Sequence, residues 1–265
     1  MQDYKKIAND ARKKVLEMIH RAGTSHIGSN FSCIDILTVL FSKLNLDNHL
    51  RKNRDRVVLS KGWAAASLYY FLAQKGIIPK KDLKTYCIGN SKYIGLAEPS
   101  VRGVEVAGGA MGHGLPIALG MALAAKLGKE KWKTYVLMSD GELDCGTTWE
   151  CAALASHNKL NNLILIIDCN GFQAMGTKKE VLDMEPLIGK WKAFNWTVTE
   201  IDGHNYNKII KALDLSKKTK KPLVIIARTI KGKGVSFFER KLEWHYKNVD
   251  LENYKKALAE LNYER

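Results

Sequence analysis

Tyr135-Val136-Leu137-Met138-Ser139-Asp140-Gly141-Glu142 and Leu163-Ile164-Leu165-Ile166-Ile167-Asp168-Cys169-Asn170-Gly171-Phe172 are the two stretches that decide the fold. Each is an apolar run of strand length that ends in polar residues, and residues 147–159 between them have the length of a helix. A strand, a crossover helix and a second strand form a parallel pair. The polar ends then lie side by side at the carboxyl edge of the sheet, where open α/β sheets bind ligands.

The polar residues at these two strand ends suit a divalent metal ion and a diphosphate. Asp140 offers a carboxylate and Asn170 an amide oxygen, and Mg²⁺ prefers such hard ligands while keeping positions for phosphate oxygens and water. Gly141 would let the chain approach a diphosphate closely, and a helix beginning near Gly146 would direct backbone N–H groups toward it. Asp-Gly alone is more often a turn, so the metal interpretation depends on Asn170.

Strand and helix patterns alternate along the rest of the chain. The predicted elements are strands at 56–59, 134–138, 163–168, 196–201 and 223–228, and helices at 4–20, 33–44, 64–74, 115–127 and 251–261. Residues 86–109 have little periodicity and predict an irregular loop over the site. The alternation predicts an α/β fold with a doubly wound, mostly parallel sheet and helices on both faces, in a single domain over residues 1–265.

Composition argues against membrane and disulfide-rich classes. Hydrophobic residues make up 46% of the 265, enough for a large buried core. No apolar run approaches the roughly 20 residues that span a bilayer, and the first residues lack the apolar stretch of a signal peptide. The five cysteines form no CxxC pair and are odd in number, which favours reduced thiols. We therefore expect a cytoplasmic location and no membrane contact.

The net charge of +15, from 42 Lys plus Arg and 27 Asp plus Glu, does not by itself indicate nucleic-acid binding. The basic residues are dispersed and no recognition motif accompanies them, so we expect no nucleic-acid partner. Attraction of phosphorylated substrates and a Lys-rich background composition both remain as explanations. Trp63, Trp191 and Trp196 are expected in the core or at an interface, not as platforms on which bases stack.

Five segments, in their order along the chain, resemble the N-terminal, diphosphate-binding half of transketolases. They are Thr24-Ser25-His26-Ile27-Gly28; Arg54-Asp55-Arg56 with Leu59-Ser60-Lys61-Gly62; Gly103-Val104-Glu105 with Gly109-Ala110-Met111-Gly112-His113-Gly114; Asp140-Gly141-Glu142-Leu143; and Lys231-Gly232-Lys233-Gly234-Val235 with Trp244-His245. Each segment is weak alone, whereas five in the correct order identify the family. The resemblance covers about residues 5–250 and implies a thiamine-diphosphate-binding fold.

The resemblance implies a role for each matching residue. Asp140, Asn170 and the carbonyl of Phe172 would ligate Mg²⁺, and His26 and His245 would be the catalytic residues. Imidazoles suit proton transfer and donation to an oxyanion because their pKa lies near neutrality. Thiamine diphosphate would contact Gly109, Ala110, Met111, Gly141, Glu142, Asn170, Trp63 and His245. The cofactor would carry a two-carbon ketol unit.

The resemblance also implies a partner chain. In this family a glutamate of a pyrimidine-binding domain generates the cofactor's carbanion, and no segment of this sequence resembles that domain. The chain is similar to the smaller subunit of a split transketolase, a transferase. A separate C-terminal subunit is therefore expected, in an α₂β₂ assembly that alone is active, with a phosphorylated or modified sugar as substrate.

Three positions depart from the family pattern. Trp63 stands in place of the histidine of Ser-Lys-Gly-His, Leu96 in place of the histidine of Gly-His-Pro, and Cys145 in place of a glutamate. An indole transfers no proton at neutral pH and Leu96 donates no hydrogen bond. The hypothesis that follows is an unusual substrate, such as a deoxy- or nucleotide-linked sugar or a small α-keto acid. Two alternatives stay open: another thiamine-diphosphate carboligase or synthase, and a catalytically impaired cofactor-binding subunit.

Overall fold

A computed structural model describes residues 3–46 and 53–263. Five parallel strands form one sheet in the order β1-β2-β3-β5-β4. The strands are β1 Arg56–Leu59, β2 Thr134–Ser139, β3 Leu163–Cys169, β4 Thr197–Asp202 and β5 Leu223–Arg228. The helices are α1 Tyr4–Ala22, α2 Ile27–Ser32, α3 Ile34–Lys43, α4 Ala65–Gln74, α5 Gly114–Leu127, α6 Gly146–His157, α7 Lys178–Val181, α8 Leu187–Ala193, α9 Tyr206–Leu215 and α10 Leu251–Tyr263. The prediction of a single domain over 1–265 includes residues outside the described ranges and stays a prediction.

The sheet is apolar on both faces because helices cover both. Val57 and Leu137 belong to a core shared with α1, α3 and α4, whereas the alternate residues Val58 and Met138 belong to a second core shared with α5 and α6. The loops that follow β2 and β3 begin at the carboxyl ends of these central strands. The doubly wound architecture is confirmed, with every pairing among the described strands parallel.

Strand positions agree with the sequence prediction to within one residue, and residues 86–109 contain neither α-helix nor strand, as predicted. Helix α2 was not predicted. All six of its residues are buried, so it shows none of the apolar and polar alternation from which helices are recognised. Within the described ranges no helix is both long and apolar enough to cross a bilayer. The cytoplasmic location stays a prediction.

Candidate active site

The carboxyl ends of β2 and β3 bring Asp140 and Asn170 together. Ser139 pairs with Asp168 across the two strands, so Asp140 follows β2 directly and Asn170 follows β3 directly. The backbone N–H of Gly171 donates to Asp140 Oδ2 at 2.7 Å and joins the two strand ends. The predicted juxtaposition is present, while metal binding by these residues stays a prediction.

The burial and hydrogen bonding of Asp140 are those expected of a metal ligand. It is 3% exposed, and its Oδ1 has no hydrogen-bond partner among the described residues. Burial is the main reason that the pKa of Asp140 is raised to about 6, against the hydrogen bond from Gly171. A buried oxygen without a partner is unfavourable, and a divalent cation would satisfy it. Asn170 Oδ1 accepts the N–H of Phe172 at 3.1 Å and has a second lone pair to offer.

Such a metal site would depend on amide and carbonyl oxygens as well as on one carboxylate. The described part of the chain contains no cluster of three or more His, Cys, Asp or Glu side chains that could hold a metal ion. Asp140, Asn170 and a carbonyl at Phe172 are nevertheless the hard oxygen donors that suit Mg²⁺. The residues present therefore fit this ion.

The neighbouring carboxylate, Asp168, is already neutralised by the protein. Lys61 Nζ contacts Asp168 Oδ2, and Asp168 also accepts hydrogen bonds from Ser32 and Thr229. Burial acts to raise the pKa of Asp168, but the charge and hydrogen bond of Lys61 outweigh it and hold this pKa below its ordinary value. Lys61 Nζ donates further to the carbonyl of Ser29 at 2.9 Å. The Lys61–Asp168 pair thus fixes the end of β3 beside Asn170.

A cavity of about 270 Å³ opens at these strand ends. The predicted residues that line it are Trp63, Gly109, Met111, Gly141, Glu142, Asn170, Phe172 and His245. The predicted residues Asp140, Ala110 and His26 are not part of its wall. A larger groove of about 540 Å³ runs along β4 and α9, away from the strand ends. We place the site in the smaller cavity because the polar residues that follow β2 and β3 converge there.

Glu142 is bound to the protein on both of its carboxylate oxygens. Oε1 accepts hydrogen bonds from Ser60 and from the Gly112 N–H, and Oε2 accepts the Ser139 N–H at 2.9 Å. Burial is the main reason that the pKa of Glu142 is raised, and these hydrogen bonds oppose it. Glu142 thus ties the glycine-rich loop to the end of β2. Its predicted contact with a diphosphate stays a prediction.

Two glycines let backbone approach backbone beside the cavity. A Cβ atom on Gly62 would lie 2.0 Å from the carbonyl oxygen of Gly108, and one on Gly108 would lie 2.8 Å from Gly62 Cα. The adjoining loop carries Met111, which is 63% exposed at the cavity and is followed by Gly112 with a positive φ of 77°. The cavity therefore has one wall of tightly packed backbone and one projecting thioether.

The two predicted catalytic histidines lie close together. His26 stacks in parallel on Trp63, with ring centroids 4.1 Å apart, and lies edge-on to His245 at 5.0 Å. Burial is the main reason that the pKa of His26 is lowered to about 4 and that of His245 to about 3, and the charge of Lys231 adds to both shifts. Both imidazoles are therefore neutral at pH 7 and able to donate or accept a hydrogen bond.

The three tryptophans have different environments. Trp191 and Trp196 are buried in the core that α5 and α6 share, as expected. Trp63 is 46% exposed and lines the cavity, so it is not a core residue, and the alternative of an interface position stays a prediction. One face of its indole packs on His26, whose own backbone has a positive φ of 70°.

Lys231 is a further candidate functional residue, and although it belongs to one of the five family-like segments, the resemblance implies no role for it. It is 1% exposed, lines the cavity, and places Nζ 2.9 Å from His245 Nδ1. Burial, and then the charge of Lys61, lower its pKa to about 8. The signal that could have found it is the Lys-Gly-Lys-Gly spacing ahead of Trp244-His245. The other cavity residues without a predicted role include Ser29, Lys61, Gln173, Met175 and Val181.

Comparison with known proteins gives the family. Residues 3–264 match the family described as transketolase, thiamine diphosphate binding domain. The chain is 39% identical over 255 residues to an apulose-4-phosphate transketolase subunit of Phocaeicola vulgatus, a match that covers 95% of this chain and 91% of that protein. It is also 39% identical over 267 residues to the 6-deoxy-6-sulfo-D-fructose transketolase subunit SqwG of a Clostridium species, covering 97% and 95%.

Solved structures agree with this assignment. The transketolase of Campylobacter jejuni superimposes with a TM-score of 0.93 at 34% identity, over 99% of this chain and 43% of that one. Human transketolase is 32% identical over 98% of this chain and 42% of its own length. This chain thus spans less than half the length of these single-chain transketolases. The chain belongs to the transketolase family of transferases and contains its thiamine diphosphate binding domain.

Proposed function

We propose that this protein, together with a separately encoded C-terminal subunit, transfers a two-carbon ketol unit from a ketose or keto acid to an aldehyde or sugar acceptor. The observation that carries the proposal is the buried Oδ1 of Asp140, which lacks a hydrogen-bond partner among the described residues and lies beside Asn170. Relatives of similar length that are named as transketolase subunits support the need for a second chain. The assembly proposed is α₂β₂.

In this proposal Asp140, Asn170 and the backbone carbonyl of Phe172 hold Mg²⁺, which binds the diphosphate of thiamine diphosphate. When bound, the cofactor supplies the carbanion that attacks the donor carbonyl. Gly141 lines the cavity and has no side chain, so its backbone could approach a diphosphate closely. Gly109, Ala110 and the exposed Met111 would contact the rest of the cofactor.

The chain's own histidines would act on the substrate. His245 lines the cavity and His26 lies edge-on to it at 5.0 Å. Both rings are neutral at pH 7, so they could orient the donor carbonyl and exchange protons with its oxygens. Trp63 covers one face of His26 and keeps water from it. These residues would bind, orient and shield the substrate.

The substrate proposed is a modified ketose. The cavity exposes four apolar side chains, Trp63, Met111, Met175 and Val181, which suit a sugar that presents more carbon and fewer hydroxyls. Two relatives at 39% identity are named for apulose 4-phosphate and for 6-deoxy-6-sulfo-D-fructose. Their names support a donor outside the ordinary sugar phosphates without choosing one of them.

The test is ketol transfer by the two chains together, with Mg²⁺ and thiamine diphosphate. The donors are apulose 4-phosphate, 6-deoxy-6-sulfo-D-fructose and xylulose 5-phosphate, each with an aldose phosphate acceptor. We expect transfer that needs both chains and a kcat/KM for one modified ketose at least tenfold above that for xylulose 5-phosphate. Full activity with xylulose 5-phosphate and ribose 5-phosphate would contradict the substrate proposal. Cofactor binding without transfer from any donor would favour the alternative of an impaired, cofactor-holding subunit.

A further inference from the structure

His245 has a hydrogen-bond donor beside one of its two ring nitrogens. Lys231 Nζ is 2.9 Å from Nδ1 of the ring. A neutral imidazole carries one proton on one of its two nitrogens. The neighbours of the ring therefore decide which nitrogen holds it.

The chemistry of Lys231 settles this choice. An ammonium group offers three donors and no acceptor. Burial lowers the pKa of Lys231 only to about 8, so the group is still mostly charged at pH 7. Because the ammonium cannot accept, His245 Nδ1 must be the unprotonated nitrogen and Nε2 must carry the proton.

The backbone on both sides of Lys231 is held in place from behind the cavity. His204 Nε2 accepts the backbone N–H of Ile230 at 2.8 Å. Arg12 Nε donates to the backbone carbonyl of Lys233 at 2.9 Å. The amine of Lys231 is thus directed at His245 by anchors on each side and by its own burial.

We propose that Lys231 is a positioning residue that keeps the proton of His245 on Nε2, so that His245 serves the reaction as a neutral hydrogen-bond donor and not as a proton acceptor. The role in the reaction rests on the proposed function, whereas the position of the proton does not. Proton exchange then falls to His26. Its Nδ1 lies 2.7 Å from Ser25 Oγ, and a hydroxyl can donate or accept, so His26 can change tautomer.

The direct test is ¹⁵N NMR of the histidine rings in the full chain, labelled at histidine, at pH 7. We expect His245 to show the Nε2–H form, with its signals assigned through their loss in His245→Gln. His20 and His204 provide internal references for the opposite form. Nδ1 of His20 lies 2.7 Å from the carbonyl of Val249, and Nε2 of His204 accepts a backbone N–H, so both should be Nδ1–H.

Variants of the lysine then test the cause. In Lys231→Met, which keeps the side-chain length but has no donor, we expect a mixture of both His245 tautomers, while Lys231→Arg retains Nε2–H. The matched control is Lys233→Met, which removes the same charge two residues away, where the amine pairs with Glu239 at 3.2 Å. This control should leave His245 unchanged. Unchanged reference signals from His20 and His204 show that a variant is folded.

Kinetics of the loaded two-chain enzyme complete the test. Loss of a hydrogen-bond donor to a developing oxyanion lowers kcat by about 10²–10³-fold. Lys231→Met should therefore lower kcat at least tenfold with little change in KM, and Lys231→Arg should retain part of the kcat that Lys231→Met loses. If His245 is in the Nε2–H form but the enzyme binds no cofactor, the proposed function is contradicted and the inference about the proton stands. An Nδ1–H form of His245 in the unmodified chain, or a Lys231→Met spectrum like that of the unmodified chain, would overturn the inference.

Discussion

Replacing Lys61 by methionine is the perturbation whose effect follows most directly from the structure. The Lys61 side chain is 5% exposed and that of Asp168 0%, so the variant leaves a buried carboxylate without its cation. Ser32 and Thr229 still donate to Asp168 but carry no charge. Breaking a buried ion pair by removing one partner costs about 3–5 kcal/mol. At about 2–4 °C per kcal/mol for a chain of this size, the melting temperature should fall by about 10 °C.

The pH dependence of this loss identifies Asp168 as its cause. In the unmodified chain the pKa of Asp168 lies below its ordinary value. The stabilisation is therefore present above the unfolded-state pKa and is lost as the pH falls through the folded-state pKa. Without Lys61, burial raises the pKa of Asp168, so protonation relieves the unpaired charge as the pH is lowered. The difference in unfolding free energy should be largest at pH 7.5 and smaller at pH 5.

The assay is urea unfolding followed by circular dichroism at both pH values. Lys217→Met is the control, because Lys217 and Asp214 form an exposed pair whose loss should change the unfolding free energy by less than about 0.5 kcal/mol. Lys61→Met combined with Asp168→Asn removes both charges and should cost less than the sum of the single variants. A loss below 1 kcal/mol at pH 7.5, or a loss that grows at pH 5, would refute the reasoning.

Three further predictions concern the cavity. Gly62→Ala places a methyl group 2.0 Å from the carbonyl oxygen of Gly108 and should lower the unfolding free energy by about 3 kcal/mol or more in urea titrations. The control Gly146→Ala, whose methyl group has nothing within 4 Å, should not lower it, and equal effects of the two variants would contradict the close packing. The pKa of His26 is about 4 in the folded chain and 6.5 when unfolded, so the unfolding free energy should decrease by up to about 2 kcal/mol, after solvent screening, as the pH falls from 6.5 to 4. In His26→Asn, which tolerates the positive φ, the unfolding free energy should change less over this pH range. Trp63→His should raise kcat/KM for xylulose 5-phosphate about tenfold relative to a modified ketose in the two-chain enzyme, and an unchanged ratio would remove Trp63 from substrate selection.

The central part of the fold could be predicted because its signals are local. The runs that became β2 and β3 are apolar over their whole length, and each ends where its polar residues begin. A parallel pair joined by one helix leaves little choice in placing Asp140 beside Asn170. The positions predicted to contact the cofactor came from the ordered motifs, and all of them except Ala110 line the cavity. For Trp63 the sequence left a core and an interface position open, because bulk and polarity alone do not separate an exposed indole at a cavity from a buried one.

The remainder depends on contacts between distant segments. Lys61 meets Asp168 across 107 positions, and His204 reaches Ile230 across 26. The sequence around His204 is typical of a turn, and nothing local indicates that its ring supports the backbone next to Lys231. Lys231 and His245 are only 14 positions apart, but the stretch between them has no regular period that would fix their distance. Such pairs become visible only when the chain is folded.

The central claim is that Asp140 binds the Mg²⁺ that holds thiamine diphosphate, and calorimetry of cofactor binding to the two-chain enzyme tests it most directly. The titration is run with Mg²⁺ and with a chelator, for the unmodified chain, for Asp140→Ala and for the control Asp144→Ala. Asp144 Oδ1 also lacks a partner among the described residues, but Asp144 does not follow a strand. We expect cofactor binding to require Mg²⁺ and to be as tight in Asp144→Ala as in the unmodified chain. In Asp140→Ala the affinity should fall about 100-fold, which is equivalent to about 2.7 kcal/mol. Equally tight binding in the chelator, or in Asp140→Ala, would contradict the account.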